Sequence, residues 1–335
     1  MSKNDKAIAL VGLPDSGKTV LLTTLFQGSG WSIQELNRDT TRFLAEKKDE
    51  IKNGHWPAPT PDNQKAKELI FRVARSGSNA SIILKSNDFG GEGWRNFIEK
   101  YCEFNGDKDI DEDDKAICEF LKSAAAVAVC VDFEKLFDGD LDQKWIVQAV
   151  LNFIENNKLS IPVAIVATKY DRIENFLIQK YDIPPYSNPQ ITALLNMELR
   201  SLNPDIELKY SKSVESIIRK EFGSGIWETL GYGNVFFVAA IPEDTESYCV
   251  EEGKFAPLRE ARAIGIRRLE TWFFSKAKNA VLYANLKKFL PPGVLVLGGI
   301  AVGSFFPSAG LALVLGGVAM PCKKKITKFL KNKKQ

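Results

Sequence analysis

One octapeptide near the start of the chain constrains the fold more than any other feature. Residues Gly12–Thr19 read GLPDSGKT and match the pattern G-x-x-x-x-G-K-[ST] at every fixed position, directly after the apolar run Ala7–Val11. Glycines let backbone N–H groups surround phosphate oxygens, Lys18 supplies a positive charge, and the Thr19 hydroxyl can ligate Mg²⁺. A helix that begins near Ser16 adds the positive end of its dipole. The chain is therefore predicted to start with a strand, a phosphate-binding loop and a helix.

The composition excludes several classes of enzyme. The 335 residues include a single histidine, His55, and five cysteines without C-x-x-C spacing. A multi-histidine metal site is thereby excluded, and a Ser-His-Asp triad would depend on that one residue. The odd number of cysteines and their spacing fit a reducing compartment better than a disulfide framework or a zinc site. No apolar signal-peptide region precedes the first strand, so we expect the nucleotide-binding part to face the cytoplasm.

Apolar patterns along the chain alternate between strand-like and helix-like segments. Strands are predicted at residues 68–75, 81–86, 125–132, 161–167 and 234–240, and helices at 33–51, 143–156 and 213–222. Residues 76–79 are typical of a hairpin turn between the first two of these strands. Strands that alternate with helices predict the α/β class, with a mostly parallel sheet and helices on both of its faces.

A second motif, Asp88-Phe89-Gly90-Gly91, follows the predicted strand at 81–86 and fits D-x-x-G. Its aspartate can hold the Mg²⁺ shell through water, and the Gly91 N–H can reach a γ-phosphate. Asp88-Phe89-Gly90 also resembles the metal motif of protein kinases, but the chain has neither the H-R-D catalytic loop nor the kinase glycine-rich loop. The kinase interpretation is therefore excluded.

A third motif, Thr168-Lys169-Tyr170-Asp171, follows the predicted strand at 161–167 and fits [NT]-K-x-D. The Asp171 carboxylate can accept two charge-assisted hydrogen bonds from N1–H and N2–H₂ of guanine, which adenine cannot supply. The Lys169 stem can pack along the base. The motif therefore predicts selection of guanine nucleotides.

In their order and context, these motifs and Val238-Ala239-Ala240 resemble the Ras-like, translation-factor-related class of P-loop GTPases. The resemblance covers about residues 6–280 and implies a GTPase domain at 1–285, with insertions near 30–56, 105–115 and 180–225. The phosphate loop is similar to those of the signal-recognition-particle receptor beta subunit and of Arf-type proteins. The spacing of the insertions is more similar to that of the large bacterial members of the class.

The resemblance implies the residues of a GTP or GDP site with Mg²⁺. The nucleotide contacts would be Gly12, Asp15, Ser16, Gly17, Lys18, Thr19, Val20, Gly91, Thr168, Lys169, Asp171, Ala239 and Ala240. Mg²⁺ would be held by Thr19, Asp88 and a loop threonine, for which Thr60 is the best match and Thr40 and Thr41 are the alternatives. Ala239 and Ala240 stand where the family has S-A-x, so their expected role is through backbone N–H groups. Asp15 would either accept from loop amides or assist a second cation.

Catalysis would involve Glu92, Thr60 and Lys18. Glu92 stands where Ras-like proteins carry a glutamine that orients the attacking water. A carboxylate can orient water or accept its proton, or it can simply cap the helix. Arg95 either neutralises charge at the site or lies on the surface. We expect slow intrinsic hydrolysis of GTP to GDP and phosphate, assisted by a protein effector or by self-association.

The C-terminal segment carries the last strong signal. Residues 289–322 contain no charged residue, and lysines stand on both sides of this run. Prolines at 291, 292 and 307 divide it into pieces that are short for spanning a bilayer. Lysines on both flanks favour an apolar, glycine-rich helical hairpin at 286–335 that enters and leaves on the cytoplasmic face. A buried core helix pair is the alternative interpretation. Anionic lipid is the expected partner of residues 289–335, and no nucleic acid is expected.

Together these features predict a GTP-binding and GTP-hydrolysing switch or assembly factor, cytoplasmic and attached to a membrane through its C-terminal tail. The alternative is a membrane-inserting scaffold or effector whose nucleotide domain binds GTP with little hydrolysis. Glu92 at the glutamine position and the glycine-rich hairpin favour this alternative, whereas the complete set of Mg²⁺ and phosphate ligands favours hydrolysis.

Overall fold

The computed structural model describes residues 7–26, 30–53, 55, 57, 67–76, 81–88, 91–102, 112–183, 185, 204–240 and 263–289. The chain divides into two compact units, residues 1–278 and 279–335. The apolar run beyond Phe289 lies outside the described residues, so the predicted hairpin and its boundary at 285/286 stay predictions. In the described part of the chain, no helix is both long and apolar enough to cross a bilayer.

Seven strands in the described residues form one sheet in the order β2-β3-β4-β1-β5-β6-β7. The strands are β1 Ala7–Gly12, β2 Trp31–Glu35, β3 Lys67–Arg75, β4 Ser81–Asp88, β5 Ala124–Asp132, β6 Val163–Thr168 and β7 Val235–Phe237. Strands β4, β1, β5, β6 and β7 run parallel, whereas β3 is antiparallel to both β2 and β4. The prediction of a mostly parallel α/β sheet is confirmed.

The central strands are buried along their whole length because they are apolar on both faces. Every residue of β1, β5 and β6 is buried. Near-continuous apolar runs are typical of parallel strands that helices cover on both sides. The core of the sheet therefore lies along β1, β5 and β6, and the loops that follow these strands begin at their carboxyl ends.

Ten α-helices connect and cover the strands in the described residues. They are α1 Lys18–Thr24, α2 Arg38–Lys52, α3 Gly91–Cys102, α4 Glu112–Ser123, α5 Phe133–Phe137, α6 Asp142–Asn156, α7 Tyr170–Tyr181, α8 Pro204–Glu221, α9 Ser224–Leu230 and α10 Ile266–Phe289. A 3₁₀ turn at Tyr232–Asn234 leads into β7.

Two adjacent residues of β7 show that helices cover both faces of the sheet. Phe237 lies 5.6 Å from Phe133 of α5 and 5.8 Å from Tyr170 of α7, between ring centroids. Phe236 instead lies 5.9 Å from Trp272 of α10. Neighbouring side chains of a strand point to opposite faces. Helices α5 and α7 therefore pack on one face, and the part of α10 around Trp272 packs on the other.

The predicted helix at 33–51 is wrong in its first part. Residues Trp31–Glu35 form β2, which pairs antiparallel with β3, and α2 begins only at Arg38. Asn37 separates the two elements, because its side-chain oxygen accepts a hydrogen bond from the Thr40 N–H at 2.7 Å. An asparagine that caps in this way starts a helix at the following residue. The other predicted strands and helices are present, but some of their ends differ. Strand β7 covers only Val235–Phe237 of the predicted 234–240, and α8 begins at Pro204, well before the predicted 213. Most of the predicted hairpin turn at 76–79 lies outside the described residues.

Candidate functional site

The carboxyl ends of the parallel strands bring three of the sequence motifs to one edge of the sheet. In register, Gly12 of β1 lies beside Cys130 of β5, and Asp132 lies beside Thr168 of β6. The loop Gly12–Thr19 leaves this edge, and so do the Thr168–Asp171 segment and the residues after β7. Ligands of open α/β sheets bind at this edge. The site is therefore built from segments that are far apart in the sequence.

The glycines of the phosphate loop, Gly12–Thr19, are required by close packing. A Cβ atom at Gly12 would lie 2.6 Å from Ser16 Oγ and 2.7 Å from the Cys130 carbonyl oxygen. Gly17 has a φ of 77° and precedes α1, and its Cβ would lie 3.3 Å from Thr168 Cβ. A side chain at Gly12 would therefore displace the backbone of Cys130, and the positive φ of Gly17 is one that glycine adopts without strain. The loop thus keeps its backbone close to strands β5 and β6.

Lys18 is 8 % exposed, and its side chain folds back across the loop. Its Nζ donates to the Gly12 carbonyl at 2.8 Å and to the Leu13 carbonyl at 3.1 Å. Both carbonyls thereby hold the ammonium within the loop. The neighbouring Cys130 thiol has a pKa raised to about 12 by burial, which the charge of Lys18 offsets only in part. This thiol stays neutral and is a packing group rather than a nucleophile.

Other members of the loop have different environments. Ser16 Oγ is buried, and no described residue forms a hydrogen bond with it. Thr19 and Val20 are half-buried in the first turn of α1. Asp15 is exposed, with a φ of 61°, and its carboxylate lies 3.5 Å from Lys135 Nζ of α5. The predicted roles of Asp15 in accepting from loop amides or assisting a cation therefore compete with an exposed ion pair.

Thr168 joins the phosphate loop to the sheet. Its buried hydroxyl lies 2.9 Å from the Ser16 carbonyl oxygen and 3.1 Å from the Val131 carbonyl oxygen, and it can donate to either. The first contact spans 152 positions of the sequence. The motif at the end of β6 is therefore in direct contact with the loop that begins at the end of β1.

The next two residues of this segment are held in defined conformations. Lys169 has a φ of 57°, and the Tyr170 N–H donates to the Val238 carbonyl at 3.1 Å. Val238 in turn donates to the Ala167 carbonyl at 2.8 Å. Asp171 lies half-buried in the first turn of α7. The segment is thus anchored on both sides of Lys169.

The two residues after β7 that were expected to bind a ligand, Ala239 and Ala240, differ in their hydrogen bonding. The Ala239 N–H donates to the Ile264 carbonyl at 3.2 Å, and the Ile264 N–H donates back to Ala239 at 2.8 Å. This bridge occupies the backbone donor of Ala239, one of the two expected to face a ligand. Ala240, which is half-buried, carries the remaining candidate N–H of the pair.

Sequence reasoning missed Asp132, the last residue of β5. Its side chain is fully buried, and its Oδ2 lies 2.5 Å from Lys169 Nζ. A usable signal was present in the sequence, because Asp132 is the single charged residue of the otherwise apolar run 124–132 and ends it at the same sheet edge as the phosphate loop. Lys135, one turn later on α5, was missed because its contact with Asp15 depends on the tertiary fold.

Several predicted residues are placed only by their backbone or not at all. Asp88 ends β4, while Gly91 and Glu92 begin α3, and the structure describes none of these side chains.

Thr60, the best match for the loop threonine, lies outside the described residues. Of its alternatives, Thr40 is buried and its hydroxyl accepts from the Ile70 N–H at 2.9 Å. Thr41 is exposed, and its hydroxyl donates to the Asn37 carbonyl at 3.3 Å. Both alternatives are thus engaged within or beside α2. Arg95 is exposed on α3.

Comparison with known proteins adds little to this geometry. No protein-family model matches the sequence, and no curated protein matches it. The structure has a likeness to the crystal structure of the bacterial selenocysteine-specific elongation factor EF-Sec, at 13 % identity and a TM-score of 0.30. The alignment covers 71 % of this chain and 26 % of that one. At this identity and TM-score, the similarity carries no functional argument.

Proposed function

We propose that this protein binds GTP and hydrolyses it, and that it acts as a switch or assembly factor at the cytoplasmic face of a membrane. The observation that supports the proposal best is the contact between two motifs of different purpose. The Thr168 hydroxyl lies 2.9 Å from the Ser16 carbonyl, so the segment suited to read guanine is attached to the loop suited to hold phosphate. One bound nucleotide could therefore place its base against the Thr168–Asp171 segment and its phosphates in the Gly12–Thr19 loop.

The phosphate loop fits the triphosphate by its chemistry. Its ammonium is fixed by two carbonyls, at 2.8 and 3.1 Å from Lys18 Nζ, and its glycines keep side chains out of the turn. The buried Ser16 hydroxyl without a described partner offers a further polar group. Backbone N–H groups at the start of α1 add the positive end of that helix. Lys18 would bind β- and γ-phosphate oxygens, and Asp171 would accept from the guanine N1–H and N2–H₂.

The residues present also fit Mg²⁺. Thr19 lies in the first turn of α1, and Asp88 ends β4, the strand that runs parallel to β1, so both belong to segments at the carboxyl edge of the sheet. When bound, the cation neutralises charge that develops on the phosphate oxygens. Thr60 remains the candidate for a third ligand. In the described residues no cluster of three or more histidine, cysteine or acidic side chains is suited to hold a metal by itself.

Binding is tested with Lys18→Ala. The variant removes the fixed positive charge of the loop, and hydrogen bonds to charged groups contribute about 1.5–3 kcal/mol each, so the affinity for GTP should fall at least about tenfold. Lys115→Ala, which removes an exposed lysine of α4, is the matched control and should leave affinity unchanged. Equal affinities of both variants in calorimetric titrations would refute the assignment of the phosphate loop.

Hydrolysis is tested with Glu92→Ala. A group that orients water acts mainly in the transition state, so phosphate release should slow at least about tenfold while GTP affinity stays within a few-fold. Negligible turnover by the unmodified protein, with tight GTP binding, would support the alternative function of a membrane scaffold or effector. Equal turnover by the variant would remove Glu92 from the catalytic group.

The membrane part of the proposal depends on the sequence of the C-terminal tail. Its uncharged run and flanking lysines suit an anionic lipid surface. Co-sedimentation of the whole chain with anionic vesicles is the experiment that tests it.

A further inference from the structure

Among the described charged side chains at the carboxyl edge of the sheet, Asp132 is the most deeply buried, and three contacts fix it. Its Oδ1 accepts from the Lys135 N–H at 3.2 Å, and so the side chain caps the short helix α5. Its Oδ2 lies 2.5 Å from Lys169 Nζ. Its own N–H donates to Gln143 Oε1 at 3.0 Å. The Asp132 backbone is thus held by Gln143, and its carboxylate is held by the Lys135 N–H and the Lys169 ammonium.

Lys169 has an unfavourable backbone conformation. Its φ of 57° and ψ of 38° are in the left-handed region, which non-glycine residues adopt rarely. The residue stands between Thr168, which contacts the phosphate loop, and Tyr170, whose N–H donates to Val238. The side chain is 28 % exposed, so its stem reaches solvent at the sheet edge while its ammonium contacts a fully buried carboxylate.

The other charges around Lys169 are more exposed and more distant. Glu134 Oε2 lies 4.0 Å from Lys169 Nζ and 3.2 Å from an Arg172 guanidinium nitrogen, and the Glu134 side chain is 39 % exposed. Exposed ion pairs of this kind are screened by solvent and contribute little. Asp132 is therefore the group that determines where the lysine ammonium lies.

We propose that Asp132 is a positioning residue for recognition of the guanine base. It holds the Lys169 ammonium at the end of β5, so that the lysine stem lies along the base and the following turn presents Asp171 to it. Asp132 itself touches neither base nor phosphate. The inference rests on the proposed function, because it concerns the same nucleotide site, and it adds a specificity-determining residue to that site.

The test distinguishes recognition of the base from binding of the phosphates. GDP and ADP carry the same ribose and diphosphate, and each is used to displace a fluorescent GDP analogue from the whole chain. Asp132→Asn keeps the shape of the side chain and removes its charge. GDP affinity should fall at least about tenfold, while the weak ADP affinity should stay within about twofold. Glu134→Gln, which neutralises the neighbouring exposed carboxylate, should change neither affinity by more than about twofold.

A double-mutant cycle shows whether Asp132 acts through Lys169. In Lys169→Met the stem is kept and the charge is lost, and this variant should show the same selective loss of GDP affinity. The double variant should bind GDP no more weakly than Lys169→Met alone, because the two residues act as one unit. Additive losses would overturn the proposal, as would equal losses for GDP and ADP in Asp132→Asn.

The outcomes remain distinct if Asp132→Asn does not fold. Lys169→Met alters a partly exposed side chain and then carries the test by itself, and an unchanged ratio of GDP to ADP affinity in this variant would overturn the inference. Failure of the unmodified chain to bind any guanine nucleotide would instead overturn the proposed function. Binding by the unmodified chain, with GDP affinity unaltered in Asp132→Asn, would overturn this inference alone.

Discussion

Replacement of Thr168 by valine tests the contact between the two motifs at the sheet edge. Thr168 is 4 % exposed, and valine keeps the branched shape of its side chain while removing the hydroxyl. That hydroxyl lies 2.9 Å from the Ser16 carbonyl and 3.1 Å from the Val131 carbonyl, and both carbonyls are affected by its loss. A buried polar group that loses its partner costs about 1–3 kcal/mol. We therefore expect Thr168→Val to lower the free energy of unfolding by about 1–3 kcal/mol.

The same change should weaken nucleotide binding, because the phosphate loop loses its attachment to β6. A loss of about 1.4 kcal/mol in binding free energy corresponds to about tenfold in affinity. Urea denaturation of the nucleotide-free protein measures the first effect, and calorimetric titration with GDP measures the second. Thr168→Ser keeps the hydroxyl and should retain most of the affinity.

Thr229→Val is the matched control for this prediction. Its hydroxyl also donates to a backbone carbonyl, that of Gly225 at 2.9 Å, but on the exposed surface of α9. Surface changes of this kind are usually within about 0.5 kcal/mol. If Thr168→Val has no greater effect than Thr229→Val on stability and on GDP affinity, the argument that this hydroxyl joins the two motifs is refuted.

Three further predictions follow from other parts of the chain. Gly12→Ala should lower the free energy of unfolding by about 1–3 kcal/mol, because its Cβ would lie 2.7 Å from the Cys130 carbonyl oxygen. The control Gly225→Ala should not lower it, because no atom lies within 4 Å of that Cβ. Equal urea midpoints of the two variants would contradict this prediction. Burial raises the pKa of Glu270 above its ordinary value of 4.5, although contacts with the Phe26 N–H, Trp31 and Arg267 oppose the shift. Because the folded protein holds this proton more tightly than the unfolded chain, the free energy of unfolding should fall as the pH rises from 4.5 through the folded-state pKa. The unfolding free energy of Glu270→Gln minus that of the unmodified protein should increase across that window and then level off, and a flat difference would refute the argument. A protein that ends at Lys288 should keep its GTP affinity and lose co-sedimentation with anionic vesicles, whereas vesicle binding that survives the truncation would exclude residues 289–335 as the anchor.

The sheet could be predicted from sequence largely because its central strands are apolar throughout. The runs at 125–132 and 161–167 match β5 and β6 closely, since a strand buried on both faces leaves a continuous apolar signal. Strand β2 was not predicted, because it lies at the edge of the sheet, pairs only with β3, and has residues that are half-buried or exposed. Its pattern merged with the amphipathic pattern of α2.

At the site, motifs with a fixed spacing could be predicted and contacts between distant segments could not. Lys18 and Thr168 belong to patterns whose chemistry is local in sequence. The contact of Thr168 with Ser16, the pair Asp132–Lys169 and the pair Asp15–Lys135 each join residues that only the fold brings together. The bridge between Ala239 and Ile264 likewise has no signature in the residues that form it.

The most direct test of the account is a comparison of GTP and ATP binding by the whole chain in the presence of Mg²⁺. Two charge-assisted hydrogen bonds from guanine to Asp171 contribute about 1.5–3 kcal/mol each, and adenine makes neither. The account predicts one GTP bound per chain, with ATP at least about 100-fold weaker. Equal affinities for GTP and ATP, or no binding of either in calorimetric titrations, would contradict the central claim that the edge formed by the Gly12–Thr19 loop and the Thr168–Asp171 segment is a guanine nucleotide site.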